Sequence, residues 1–250
     1  LLARALLADD AITTLTAGYA AGWLRDLVPE LEALDVPEGG ALKHKDNLAH
    51  TFQVVHQCPP RVNVRLAALF HDIGKPATLR TDSGKVTFHH HEVVGARIAT
   101  RRLTELGAPT EVIESVACVV RHSGDLRQAT GWTDAAVRRF QLTVGSDVGD
   151  VIDLYRADCS SKRESTRTRI QVSADRIEQR FAEVEALDAE RSRRPVVGGH
   201  EIMERYSIEP GPEVGKLVGL LLEHQRHADD ELSTDDAWAF LDAHCNDITA

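Results

Sequence analysis

The sequence predicts an all-α protein: a helical bundle with one small hairpin and a helical appendage at its C-terminal end. Three observations lead there. Apolar residues recur at three- and four-residue spacing through most of the chain. Ala, Leu, Glu and Arg are plentiful and aromatics make up only 5%, a balance that favours helix. Only Leu79–Phe88, built around Thr81-Asp82-Ser83-Gly84, reads as a hairpin.

Taken in order, residues 1–34 read as two short helices, with Trp23, Leu24, Leu27, Leu31 and Leu34 on one stripe. A Gly-, Pro- and charge-rich loop follows, from Val36 to Asp46. Asp46 or Asn47 caps the next helix, which buries Leu48, Phe52 and Val55 and stops at Pro59-Pro60. Val62 to His71 is a very apolar helix ended by Gly74 and Pro76. Beyond the hairpin, helices are expected at Glu92–Leu106, Glu111–Arg121, from the Thr133 cap to Val144, at Asp147–Ala157 and at Arg169–Glu190. Arg191–Gly199, with Pro195 and a Gly pair, is the best boundary. Helices near Glu213–Gln225 and after Ser233 follow, and Ser233 with Asp236 suits a capping box. These readings divide the chain into linker helices (1–40), a main domain (41–192) and a small tail domain (193–250).

The formal net charge of −10 argues against a broad basic footprint on nucleic acid. It leaves room for a small phosphorylated substrate or an RNA end. The four cysteines (Cys58, Cys118, Cys159, Cys245) form no CxxC pair and read as reduced thiols of a cytoplasmic protein. No run of 18 apolar residues predicts a membrane span. The apolar Leu1–Leu7 is interrupted by Arg4 and followed by Asp9 and Asp10, unlike a secretory leader. The chain opens on Leu1 and its only methionine is Met203, so a piece of something longer is one expectation.

The strongest chemical signal is His71-Asp72-Ile73-Gly74-Lys75-Pro76, at the end of a buried helix. Side chains of neighbouring helical residues leave the axis about 100° apart, and an imidazole and a carboxylate so placed can both reach one cation. Two ligands are too few for a tight site. His50, His91, His122 and Asp158 sit at element ends or beside apolar stripes and are the candidates to complete it. Of His89-His90-His91, His91 is the expected contributor and His89 the second choice; His44, His56, His200, His224, His227 and His244 are read as solvent-facing. Mixed imidazole and carboxylate donors suit Mn, Fe, Co, Ni or Zn better than Mg, as one ion or two. Lys75 is a candidate to hold a substrate phosphate. Gly145-Ser146-Asp147 with Asp150 falls between two helices, without a strand or a Gly-rich lead-in.

His50, His71-Asp72 and Asp158, in this order, resemble the metal-binding pattern of the HD superfamily of phosphohydrolases. HTFQVV (50–55), LAALFHDIGKPAT (66–78), VTFHHHEVVGA (86–96), WTDAAVRRF (132–140) and LYRADCSSK (154–162) look like the HD region of bacterial CCA-adding tRNA nucleotidyltransferases, particularly the actinobacterial kind. The tail GHEIMERYSIEPGPEVGKLVGLLLE (199–223) resembles the small helical segment that follows in that family, and LVPELEAL (27–34) its linker. No counterpart of that family's nucleotide-adding head is seen. The resemblance implies an HD-domain bundle that hydrolyses 2′,3′-cyclic phosphates, 2′-nucleotides or related esters of nucleotides or RNA 3′ ends. It implies that His50, His71, Asp72 and Asp158 bind the first metal, and that His91 and His122 bind a second ion or the substrate phosphate. Asp72 would orient or deprotonate water, with Lys75, His91 and His122 stabilising the phosphoryl oxygens. Lys75, Lys162 and Arg163 are the expected substrate contacts, the latter two in a basic patch with Arg167 and Arg169. The competing readings are a non-catalytic tRNA- or protein-binding helical module, the body of a CCA-adding enzyme without its head, and another HD chemistry. Substrate, metal identity and oligomeric state are not set by the sequence.

Overall fold

The computed structural model describes residues 1–35, 47–82, 85–159, 164–191, 194–227 and 232–248. The architecture is all-α, as the periodicity predicts. The elements are α1 (Leu2–Leu6), α2 (Ala11–Ala20), α3 (Trp23–Leu27), a 3-10 segment (Pro29–Leu34), α4 (Asn47–Gln57), α5 (Val62–Phe70), α6 (Lys75–Thr78), β1 (Arg80–Asp82), β2 (Lys85–Thr87), α7 (His91–Glu105) and α8 (Thr110–His122). After a second 3-10 segment (Asp125–Gly131) come α9 (Asp134–Val144), a third (Gly145–Asp147), α10 (Val148–Ala157), α11 (Glu164–Arg191), α12 (Gly199–Tyr206), α13 (Pro212–His227) and α14 (Thr234–Ile248). The strands pair antiparallel with Arg80 opposite Thr87. No described helix is long and apolar enough to cross a membrane.

Two compact units are present, Leu1–Val184 and Glu185–Ala250. The first is organised around α5. Every residue from Val64 to Phe70 is buried, and α5 contacts α1, α4, α7, α8 and α10. A helix apolar on all sides has to be central, and burying each large aliphatic or Phe side chain there contributes about 1.5–3 kcal/mol. The residues that follow, His71 and Asp72, are thereby carried into the interior, at 3% and 2% exposure. One cation shares this helix. Arg65 is 5% exposed and donates to the carbonyls of Leu6, Ala8, His56 and Cys58, fastening the end of α1 to the body. The second unit has its own core of Val197, Ile202, Leu217, Leu221, Ala237 and Leu241.

Several elements differ from expectation. The opening stretch holds three short helices and a 3-10 segment rather than two helices. Gly22, at a φ of +91°, breaks the chain between α2 and α3. Asn47 is the first helical residue, and Asp46 lies outside the described residues. The α5 helix stops at Phe70, and Pro76 starts a short helix instead of ending one, since its fixed φ suits a first turn. The charged helix runs further, Glu164–Arg191. The Thr133 hydroxyl accepts from the Ala136 N–H as a cap, and Ser233 does the same for Asp236 N–H. The return half of that second box is replaced by a Ser233 hydroxyl donated to the Asp236 carboxylate at 2.6 Å. Asp147 accepts from Ser115 and Asp150 pairs with Arg61, so both carboxylates of the Gly145-Ser146-Asp147 region make packing contacts.

Glu30 joins the N-terminal 3-10 segment to α7. Its carboxylate accepts from Arg101 and Arg102 at 3.0–3.2 Å. Burial alone would raise its pKa, but the two guanidiniums outweigh it and hold the group below its ordinary value. A depressed folded-state pKa contributes stability above the unfolded value near ~4.3, lost as pH falls through the folded one. Glu30→Gln is therefore expected to cost about 1 kcal/mol at pH 7. Its urea-melt stability should draw closer to that of the parent as pH falls below about 4 and meet it only below the lowered folded-state pKa; parallel curves at every pH would contradict the pairing.

Candidate metal centre

Five elements deliver side chains to one buried place. The α4 helix supplies His50, the turn after α5 supplies His71 and Asp72, α6 begins with Lys75, α7 begins with His91, and Asp158 follows α10. One donor atom from each of His50, His71 and Asp72 lies within 4.8 Å of the others. His50 Nε2 is 3.1 Å from Asp158 Oδ1 and 3.8 Å from Asp72 Oδ2. His71 Nε2 is 3.5 Å from Asp72 Oδ2 and 3.8 Å from Asp158 Oδ1. Asp72 was expected on a helix face; it stands instead in the turn beyond the helix, where it still meets His71.

The ring orientations are fixed from outside. His71 Nδ1 lies 2.7 Å from the Ala68 carbonyl. A carbonyl only accepts, so Nδ1 carries the hydrogen, which leaves Nε2 as the nitrogen that faces the two carboxylates. That Nε2 is buried and without a hydrogen-bond partner. A bare lone pair on that nitrogen would face carboxylate oxygens, which is unfavourable unless a proton or a metal cation stands between them. The donor set of two imidazoles and two carboxylates thus fits a divalent transition metal.

Both carboxylates are ready to ligate. Burial pushes Asp72 up, but His71 and Lys75 bring its pKa below the ordinary value. Asp158 is treated alike: burial raises it, and the hydrogen bond from His50 with the charges of His71 and Arg127 lowers it further. Lys75 Nζ donates to Asp72 Oδ2 at 2.6 Å, and the Phe88 ring lies 5.9 Å from that ammonium. This contact does not need the α5 helix to persist, because the turn through Gly74 brings Lys75 back.

His91 is 8% exposed, and its Nε2 lies 3.8 Å from Asp72 Oδ1. Its Nδ1 is 2.9 Å from the Phe88 carbonyl. Burial lowers its pKa, and Glu92 at 3.3 Å opposes that only in part. His89 and His90 are exposed. His122 ends α8 with Nδ1 2.7 Å from Asp125 and its ring edge-on to Phe140; it lies beyond 4 Å of either site carboxylate. Lys162, Arg163 and His44 lie outside the described residues. His56, His224 and His244 are half-buried rather than solvent-facing; the His224 ring stacks on Phe240 at 3.9 Å and His244 donates to the Phe240 carbonyl. His200 is exposed.

Sequence reasoning missed two contacts here. Arg127, in the second 3-10 segment, reaches Asp158 Oδ2 at 3.3 Å. No local pattern marks it, since the pairing spans 31 residues. The Asp125 partner of His122 had a signal, the three-residue spacing at a helix end.

The HD domain family matches residues 48–178, more than half of the chain, and the chain belongs to that family. Its likeness extends to tRNA nucleotidyltransferases. It is 36% identical over 248 residues to the CC-adding tRNA nucleotidyltransferase of Thermus thermophilus, covering 96% of this chain and 54% of that protein. It is 31% identical over 232 residues to the A-adding tRNA nucleotidyltransferase of Deinococcus radiodurans, covering 87% and 51%. The chain spans about half the length of the curated relatives it matches. Both resemblances read from the motifs, to HD proteins and to tRNA nucleotidyltransferases, are borne out.

Proposed function

We propose that this chain is a cytoplasmic metal-dependent phosphohydrolase acting on esters at ribose 2′ and 3′ positions. Its activity is that of a 2′,3′-cyclic phosphodiesterase, nucleotidase or phosphatase on nucleotides or RNA ends. The observation that carries this is the buried, unpartnered His71 Nε2 facing Asp72 and Asp158. His50, His71, Asp72 and Asp158 would hold the ion, of the Mn, Fe, Co, Ni or Zn class. When bound, such an ion acidifies water and neutralises charge on a phosphate.

The chain's own residues supply the rest. Asp72, held as the carboxylate, orients the attacking water or takes its proton. Lys75, already at Asp72, supplies a positive charge that would stabilise a phosphoryl oxygen. His91, with Nδ1 committed to Phe88, offers Nε2 to a phosphoryl oxygen or a second ion. His122, braced by Asp125, is the further candidate on the phosphate side. Arg127 can exchange its contact with Asp158 for one with an incoming phosphate.

The test is turnover of 2′,3′-cyclic AMP by metal-stripped protein with Mn²⁺ or Ni²⁺ restored. Metal-dependent release of the monoester is expected. A folded, ion-loaded protein that leaves this and other ribose phosphoesters intact would overturn the reading. A second reading rests on the relatives: the chain matches about half of two tRNA nucleotidyltransferases and would be the body of such an enzyme, a helical module that holds tRNA. RNA binding without turnover would favour it.

A further inference from the structure

A groove of about 780 Å³ runs between α11 and the 3-10 segment Asp125–Gly131. Ser165, Thr168, Arg169, Val172 and Arg176 form its α11 wall, and Thr130 faces them. Successive spacings of three, one, three and four residues keep these α11 positions on one broad helix face. Ser173, also in the lining, is 3.2 Å from the Tyr155 hydroxyl of α10, which fixes that face against the helix leading to Asp158. Thr130 belongs to the same 3-10 segment as Arg127, three residues earlier, which contacts Asp158.

The charges are arranged unusually for a chain of net charge −10. Arg180, on the same helix, pairs with Asp134 and Glu183, and Arg156 pairs with Asp175 and Glu178. Arg169 and Arg176 are exposed in the groove, with no carboxylate within 4 Å among the described residues. Glu164 is the one acidic residue of the described lining. Arg169 and Arg176 stand seven helical residues, about 10.5 Å, apart along the axis. A stacked strand rises roughly 3.4 Å per phosphate along its axis, so the spacing corresponds to about three nucleotide steps. The Ser165 and Thr168 hydroxyls can donate to phosphate oxygens, and Val172, 42% exposed, offers a sugar or base an apolar face.

We propose that this groove binds the sugar–phosphate backbone of a single-stranded nucleic acid whose end enters the metal centre. The substrate is then an oligonucleotide end rather than a free nucleotide. That consequence rests on the phosphohydrolase reading; the binding itself does not.

The test measures fluorescence anisotropy of a labelled six-nucleotide RNA with divalent ions chelated, so that turnover plays no part. The wild-type chain is compared with Arg169→Gln/Arg176→Gln, with the same pair changed to Glu, and with Arg4→Glu as a control for net charge. Circular dichroism verifies each fold. The expected result is about a tenfold or greater loss of affinity in both double variants. The slope of log K against log salt should fall by about 1.4, two single-strand phosphates' worth. Affinities no different from the Arg4 variant would overturn the proposal. So would equal displacement of the RNA by a polyglutamate peptide, which would mark a general anion surface. Failure of the phosphohydrolase reading would show separately, as RNA binding intact but no Mn²⁺-dependent turnover of a cyclic-phosphate end.

Discussion

Asp72→Ala is expected to abolish turnover and to weaken divalent-ion binding by more than about 100-fold, while the fold survives. Loss of an outer partner of a metal ligand typically costs 10–100-fold in affinity, and Asp72 would be a ligand itself. It meets His50, His71, His91 and Lys75 within 4 Å, more of the site than any other residue. Removing a buried carboxylate often destabilises by stranding its counter-charge. Here Lys75 is 22% exposed and can turn to water. Calorimetric titration with Mn²⁺, beside a thermal melt of the ion-free proteins, separates the two effects. A variant that binds Mn²⁺ like the parent would remove Asp72 from the ligand set. One that fails to fold would give the carboxylate a structural role instead.

Gly74→Ala is expected to destabilise the protein by about 3 kcal/mol or more and to displace His91. The reason is space. Gly74 has an ordinary helical φ of −81°, but a Cβ there would lie 2.1 Å from the His91 carbonyl oxygen and 2.7 Å from the Gly95 nitrogen. Both are backbone atoms of α7, so the clash is relieved only by moving the helix start away from the turn. That movement draws His91 Nε2 from Asp72. Gly149→Ala is the contrast, because nothing lies within 4 Å of its added methyl group; in a helix it should be neutral or stabilising by roughly 0.5–1 kcal/mol. Urea melts of the two variants decide the matter. A Gly74→Ala protein as stable as the parent would mean that the close approach of α7 to this turn is not needed.

The same glycine shows where sequence reading stops. The string His71-Asp72-Ile73-Gly74-Lys75-Pro76 is legible as a motif, and its Gly reads as a helix stop. Only packing shows that it makes room for another helix. Helical class follows from local periodicity, which is why α4, α5, α7, α8, α9 and α10 lie within a few residues of their expected places. The short opening helices and the 3-10 segment carrying Arg127 have weak periodicity and are held by partners far along the chain, so they were misread or missed.

For the candidate site, residue types and their places at helix ends singled out His50, His71, Asp72, His91 and Asp158. The sequence by itself therefore determined the helical class, the HD pattern and the chemistry of the donor set, because propensity, periodicity and side-chain type are local properties. The tertiary structure alone decided the rest. It turned His71 Nε2 toward two carboxylates by tying Nδ1 to Ala68, returned Lys75 to Asp72, set Arg127 on Asp158 and left Arg169 and Arg176 without counter-charges among the described residues. Each of these is a relation between surfaces brought together by burying α5, and a pairing across 31 residues leaves no trace in local spacing.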